Sequence, residues 1–256
     1  LKNGSTVEYY GSSSDNIYVG PYKNLTLSRD ISANSLTVEN LTKIEQAISI
    51  TADNQQYKGK VEAKEDVSFA TVGDSATIKF EDELLAKDNA TNTLKTITIT
   101  KGVVEAKKKI TAHKLDVSGK SFLAEKEIEL EDNFEGKSKK LETKDLVKAK
   151  NINIANSCNE WSSYKIEITD NIVQNGKEWK CNEAVKAKNI NVGTSCTNWI
   201  SINNIIIEEN ILADNVDWKA NSGNISFKGD LTASKLEQSL GKLIANGTAV
   251  QSIKAK

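Results

Sequence analysis

The sequence predicts an all-β chain, a right-handed parallel β-helix (β-solenoid) with coils of about 19–20 residues. Three observations carry that expectation. Val147-Lys-Ala-Lys-Asn-Ile-Asn-Ile154, followed by Ser157-Cys-Asn-Glu-Trp161, returns 38 residues later as Val185-Lys-Ala-Lys-Asn-Ile-Asn-Val192, followed by Ser195-Cys-Thr-Asn-Trp199. A degenerate copy lies between them, so that Val147, Ile166, Val185, Ile205 and Ile225 form one column and Ile152, Ile172, Ile190, Ile211 and Leu231 a second. Finally, each unit holds short apolar-x-apolar runs such as Ile128-Glu-Leu130 and Leu231-Thr-Ala233, whose alternate residues point to opposite faces of a strand.

Taken in chain order, residues 1–35 are rich in Ser, Tyr, Gly and Asn and carry the single proline, Pro21; they read as an irregular first coil or cap. Residues 36–256 read as the solenoid, with 234–256 as a candidate capping segment. There, Leu236, Leu240 and Leu243 are at helical spacing in Ala233–Leu243, although two further strands fit the same residues. The unit is too short for a tetratricopeptide or ankyrin helix pair, and the leucine-rich-repeat pattern is missing. An immunoglobulin-like sandwich ranks second, because it does not require a recurring column.

Counted from the last residue of each preceding strand, Trp161 and Trp199 fall at +7, whereas Trp179 and Trp218 fall at +5. The expectation is two inward columns in which an indole in one coil packs over a small residue in the next. Cys181 would share the column of Trp161 and Trp199 as a buried free thiol. Cys158 and Cys196 share a column two coils apart, nearly 10 Å at the strand spacing, beyond disulfide reach. Three cysteines without a CxxC pair give neither a zinc site nor a disulfide framework. The competing reading of the indoles is a ladder of exposed platforms for sugar rings.

Of the 34 basic residues only Arg29 is arginine, and the formal net charge is −1, so nothing favours nucleic acid as a partner. Mixed Lys and Glu read as a solvated outer face. No apolar stretch suits a membrane-spanning helix, and no membrane insertion by this segment is expected. The chain starts without methionine, and we read it as part of a longer polypeptide.

No catalytic constellation emerges, and no cofactor or metal is expected. Asp214 and Asp217 read as turn residues flanking one corner. His113 is placed within a strand, as an ordinary histidine. Arg29 lies in the atypical N-terminal region. Asn-x-Ser/Thr sequons at Asn3, Asn24, Asn40, Asn89, Asn224 and Asn246 are those expected by chance in such a composition.

Two stretches carry a family likeness. Gly4-Ser-Thr-Val-Glu-Tyr-Tyr-Gly11 with Tyr22-Lys-Asn-Leu-Thr-Leu27 resembles a segment common in large bacterial surface proteins with repetitive β-rich passengers. Residues 211–220 and 223–233 resemble the degenerate repeats of filamentous-haemagglutinin-like exoproteins and autotransporter passengers. The resemblance implies a secreted or bacterial cell-surface location. It also implies an adhesin or passenger that binds a host-cell or matrix receptor, protein or glycan, or spaces another domain. A carbohydrate-active β-helix enzyme (polysaccharide lyase or hydrolase) and a purely structural stalk are the alternatives. Any binding site is expected on the Lys- and Asn-rich outer faces and turns.

Overall fold

A computed structural model describes residues 6–10, 21–245 and 253–255. Among the described residues there is strand and turn but no helix. The chain divides into two compact units, Leu1–Glu131 and Asp132–Lys256. Each is a β-solenoid of parallel coils, as the sequence predicts.

In unit 1 a coil contributes three short strands, and each pairs with its equivalent one coil away. The first ladder runs through Thr6–Tyr9, 24–27, 41–44, Val61–Ala63, 84–86, Ile110–Ala112 and Ile128–Leu130. A second joins 31–33, 48–51, Val67–Ala70, 97–100 and 114–118. A third joins 35–38, 54–57, Thr77–Phe80, Val103–Ala106 and Ser121–Ala124. Buried and half-exposed residues alternate along these strands, for example Val61-Glu62-Ala63 and Ile110-Thr111-Ala112. Every second side chain therefore joins the interior, where a fully buried Val, Leu or Ile contributes about 1.5–3 kcal/mol relative to exposure. The largest interior cluster sets Tyr57 stacked on Phe80 (centroids 5.2 Å, 7° between planes) with Phe69 edge-on to both.

The ladders reach further toward the N-terminus than the expected irregular cap. Pro21–Leu27 and Ile31–Ile44 are strands, and Tyr22, Leu25, Leu27 and Ile31 are buried. A shifted register hid them: Asn24 pairs with Leu41, a step of 17 residues, and the pairing slips between Tyr22 and Asn24. Pro21 opens its strand, where a missing N–H is tolerated. Residues 1–5 and 11–20 of the expected cap lie outside the described residues. Coil length also varies later in this unit, since Leu84 pairs with Ile110, a step of 26. The extra chain forms an antiparallel hairpin pairing Lys87 with Leu94 and Asp88 with Thr93, turned by Asn92 at φ 58°.

Unit 2 holds the two columns read from the sequence. Val147, Ile166, Val185, Ile205, Ile225 and Leu243 are successive partners in one ladder. Ile152, Ile172, Ile190, Ile211 and Leu231 are successive partners in another. Gly136 takes an interior position in this second ladder, paired with Ile154. A Cβ there would come within 2.5 Å of Leu141 Cδ1 and 2.6 Å of Ile154 Cδ1, so its missing side chain makes room for theirs. Among the described residues of the C-terminal segment no helix forms. Leu231–Gln238 and Leu243–Ala245 are strands that take their register from the preceding coil, Leu231 on Ile211 and Leu236 on Trp218. The two-strand reading of that segment is the one realised. Residues 246–252 and 256 lie outside the described residues.

Candidate functional site

The residues with the most chemical potential in the sequence all point inward. Trp161, Trp179, Trp199 and Trp218 are each 1% exposed or less. They do not alternate with small residues. Trp161 pairs in register with Trp179, Trp179 with Trp199, and Trp199 with Trp218. Ring centroids are 4.8, 4.8 and 4.1 Å apart, with planes within 7°. The two-column expectation is thus corrected to a single stack of four indoles.

Turn length explains the misreading. Six residues separate Ile154 from Trp161 and Val192 from Trp199, but only four separate Gln174 from Trp179 and Ala213 from Trp218. The longer turns carry Cys158 and Cys196, each closed by an amide hydrogen bond to the carbonyl three residues earlier, Ala155 or Gly193, at 3.0 Å. The short turn carries Gly176, where a Cβ would meet the Cys158 carbonyl oxygen at 3.0 Å and Cys158 Cβ at 3.2 Å. The 38-residue repeat therefore alternates a longer, thiol-filled turn with a shorter one, while the indoles keep one column.

Cys181 is corrected in the same way. It lies between Ser163 and Ser201 in a column of small residues beside the indoles. That column supplies acceptors to the stack: Trp179 Nε1 donates to Ser163 Oγ and Trp218 Nε1 to Ser201 Oγ, both at 3.1 Å. Trp199 faces Cys181 in the equivalent place, and its Nε1 is buried without a partner. A buried unpaired donor costs about 1–3 kcal/mol. Cys181→Ser is therefore expected to stabilise the protein by about 1 kcal/mol, read as a rise in urea midpoint at unchanged slope. A neutral or lower midpoint would refute the assigned role of the column.

All three cysteines are free and buried. Burial pushes the Cys158 thiol up to about 12 and that of Cys181 to about 11, and it raises Cys196 as well. Thiols held neutral in this way are poor nucleophiles.

The remaining candidates do not converge. His113 lies at a bend between Ile110–Ala112 and Lys114–Ser118 rather than within a strand, is exposed, and has Nδ1 3.3 Å from Glu131 Oε2. Asp214 and Asp217 fall inside the strand Ile211–Ala220, where the register shifts between Ala213 and Asp217. Arg29 stands between two strands with its guanidinium 5.6 Å from the Tyr9 ring centroid. Among the described residues no group of three or more His, Cys, Asp or Glu could hold a metal ion, and no helix is long and apolar enough to cross a membrane. Asn3 and Asn246 lie outside the described residues.

The outer surface is as periodic as the core. Lys and Glu pair between neighbouring coils, as in Lys58–Glu39 at 2.9 Å and Lys109–Glu127 at 3.1 Å. Such exposed pairs contribute about 0–1 kcal/mol each, so they favour solubility more than stability. In unit 2 an asparagine ladder lines one corner. Asn151 Nδ2 donates to Asn133 Oδ1 at 2.9 Å, Asn189 Nδ2 to Asn171 Oδ1 at 3.1 Å, and Asn210 Nδ2 to Asn189 Oδ1 at 3.3 Å. The Asn151 and Asn210 side chains also accept the amides of Asn171 and Asp230 in the next coil, so the ladder fixes register. Read from the sequence, asparagine falls on the outer faces and turns, with no role assigned to these residues. Their spacings of 18 to 21 were the signal that could have revealed the ladder.

Interior columns, sealed indoles and register-setting corners define the class of the protein as a β-solenoid. No family model, curated protein or solved structure matches this chain.

Proposed function

We propose that the chain is a segment of a secreted or bacterial cell-surface adhesin or passenger, a β-solenoid that presents binding surface on its outer faces. The observation that carries this reading is the destination of the reactive and aromatic residues. All four indoles and all three thiols are spent on the interior, which leaves outward faces of regular spacing as the surface for contact. The resemblance to exoprotein repeats supports the same reading, since residues 211–220 and 231–233 build consecutive coils. The receptor class in this reading is a host-cell or matrix component.

The test is saturable binding of the purified chain to host-cell monolayers and immobilised matrix, against a heat-denatured control. Binding above the control is expected. Its absence would favour a spacer, and turnover of polysaccharide into reducing ends or unsaturated products would favour the enzyme. Either result overturns the proposal.

A further inference from the structure

One outward face of unit 1 is dominated by hydroxyls. On the second ladder, Ser49, Ser68, Thr98 and Asp116 are successive partners in one outward row. Two residues further along each strand, Ser32, Thr51, Ala70, Thr100 and Ser118 form a parallel row. Seven of these nine positions are Ser or Thr and none is Lys, Arg or Glu, in a chain whose charged fraction is 27%. Outward rows of the other ladders include long charged side chains, such as Lys43 beside Glu62 and Lys79 beside Glu105, and the one uncharged row there, Ser35, Asn54, Thr77, Val103 and Ser121, lies next to the charged one. On the second ladder, by contrast, two adjacent rows lack Lys, Arg and Glu.

The hydroxyls of this face are left over by the fold. Among the described residues, no side-chain hydrogen bond engages Ser32, Ser49, Thr51, Ser68, Thr98 or Thr100, while Ser118 Oγ donates to the Ile99 carbonyl at 3.5 Å. Ser49 is exposed and the others are half-exposed. Their strands are held from the inside by Ile50, Phe69, Ile97 and Ile99, each fully buried. Adjacent ranks are separated by the strand spacing of about 4.8 Å, and the two rows by about 6.6 Å along each strand. An open groove of about 380 Å³ runs against the first row, with Asp30 and Asp66 at its corner. Those carboxylates are already committed, Asp30 to the Ser49 amide and Asp66 to the Thr96 amide, each at 2.7 Å.

We propose that this face binds an extended, uncharged polysaccharide laid across its ranks. The charge pattern selects that occupant. Neither row holds a cation, and at the margins Asp30, Asp66 and Asp116 outnumber Lys114, which pairs with Thr96 one step before the first row, so a polyanion is disfavoured. A neutral polyol brings no charge to desolvate, and its hydroxyls exchange with water on an array of groups that both donate and accept. With every indole of unit 2 buried, this binding uses the hydroxyl lattice in place of aromatic stacking. Single contacts are weak, and avidity along several ranks gives the complex its strength. The inference rests on the reading of the chain as a binding passenger and names the ligand class for it.

The experiment is affinity electrophoresis of the whole chain through gels containing hydroxyethylcellulose, laminarin or mannan, with polygalacturonate as the acidic comparison. Retardation by at least one neutral polymer and none by the acidic one is expected. In the double variant Ser68→Lys/Thr98→Lys the dissociation constant should rise at least tenfold, whereas Thr37→Lys on another outward face should leave it unchanged. Both variants alter outward positions, and matched far-UV circular dichroism and melting temperature establish that they fold. Equal retardation of wild type and the double variant would overturn the proposal. So would retardation by polygalacturonate, or concentration-dependent self-association that the double variant abolishes. Binding to cells or matrix without any response to neutral polymers would overturn this inference and leave the proposed function standing. A chain that binds neither overturns both.

Discussion

Replacing Trp199 by Ala is expected to lower the unfolding free energy by about 3–5 kcal/mol, the usual loss for truncating a fully buried indole. Trp199 is covered on both sides, by Trp179 at 4.8 Å and Trp218 at 4.1 Å, and is 0% exposed. Aromatic pairs add about 0.5–1.5 kcal/mol beyond area burial, and this substitution breaks two of them. The neighbours are held by ladders on either side and cannot collapse into the gap, so the cavity term persists. Trp199→Phe keeps a ring in the column and should cost distinctly less. Urea unfolding followed by circular dichroism measures both variants, and a loss below about 1 kcal/mol for the alanine variant would contradict a tightly filled stack. Coils interact mainly with their neighbours, so hydrogen exchange should increase first in Asn198–Ser201 and its partners 178–181 and 217–220.

The contrast between Trp199 and its expected place shows which part of the fold was legible. Columns such as Ile152, Ile172, Ile190 and Ile211 could be read directly, because β-strands have a side-chain period of two and the coil repeats with little variation at those corners. The indole column could not be placed by counting, because it follows turns of alternating length. A two-residue change in turn length preserves inward or outward parity, so burial was legible while the neighbour was not. Coils with larger irregularities were hidden further. The 17-residue step at Asn24 and the 26-residue step at Leu84 break the period that a sequence search follows. The asparagine ladder and the hydroxyl face were missed for a different reason. Asn, Ser and Thr are ordinary residues of turns and exposed strands, and their significance lies in register, which pairing alone reveals.

Alkaline pH should destabilise the protein far more steeply than its surface charge would suggest. The cause is the set of three buried thiols, whose neutral forms the fold favours. An unfolded cysteine ionises around its ordinary value of 9.0, whereas the folded chain holds Cys181 to about 11 and Cys158 to about 12, with Cys196 also raised, in each case chiefly through burial. Above pH 9 the folded state therefore binds more protons than the unfolded state, and stability falls as pH rises. Below pH 9 both states keep the thiols neutral and the contribution is flat. Within the window from about pH 9 to 11, each fully responding thiol contributes a slope of about −1.4 kcal/mol per pH unit, so Cys158 and Cys181 together approach about −3, and Cys196 adds in the same direction. Tyr57, buried and raised well above its ordinary value, steepens the fall further once unfolded tyrosines ionise. The half-exposed lysines raised by hydrogen bonds to Glu, such as Lys60 and Lys109, act in the same direction, but solvent screening keeps their share small. Urea midpoints measured under reducing conditions between pH 8 and 10.5 should drop steeply for the wild type and much less for Cys158→Ala/Cys181→Ala/Cys196→Ala, even though that variant starts from a lower midpoint. Parallel curves would assign the alkaline loss to other groups and refute the burial of the thiols.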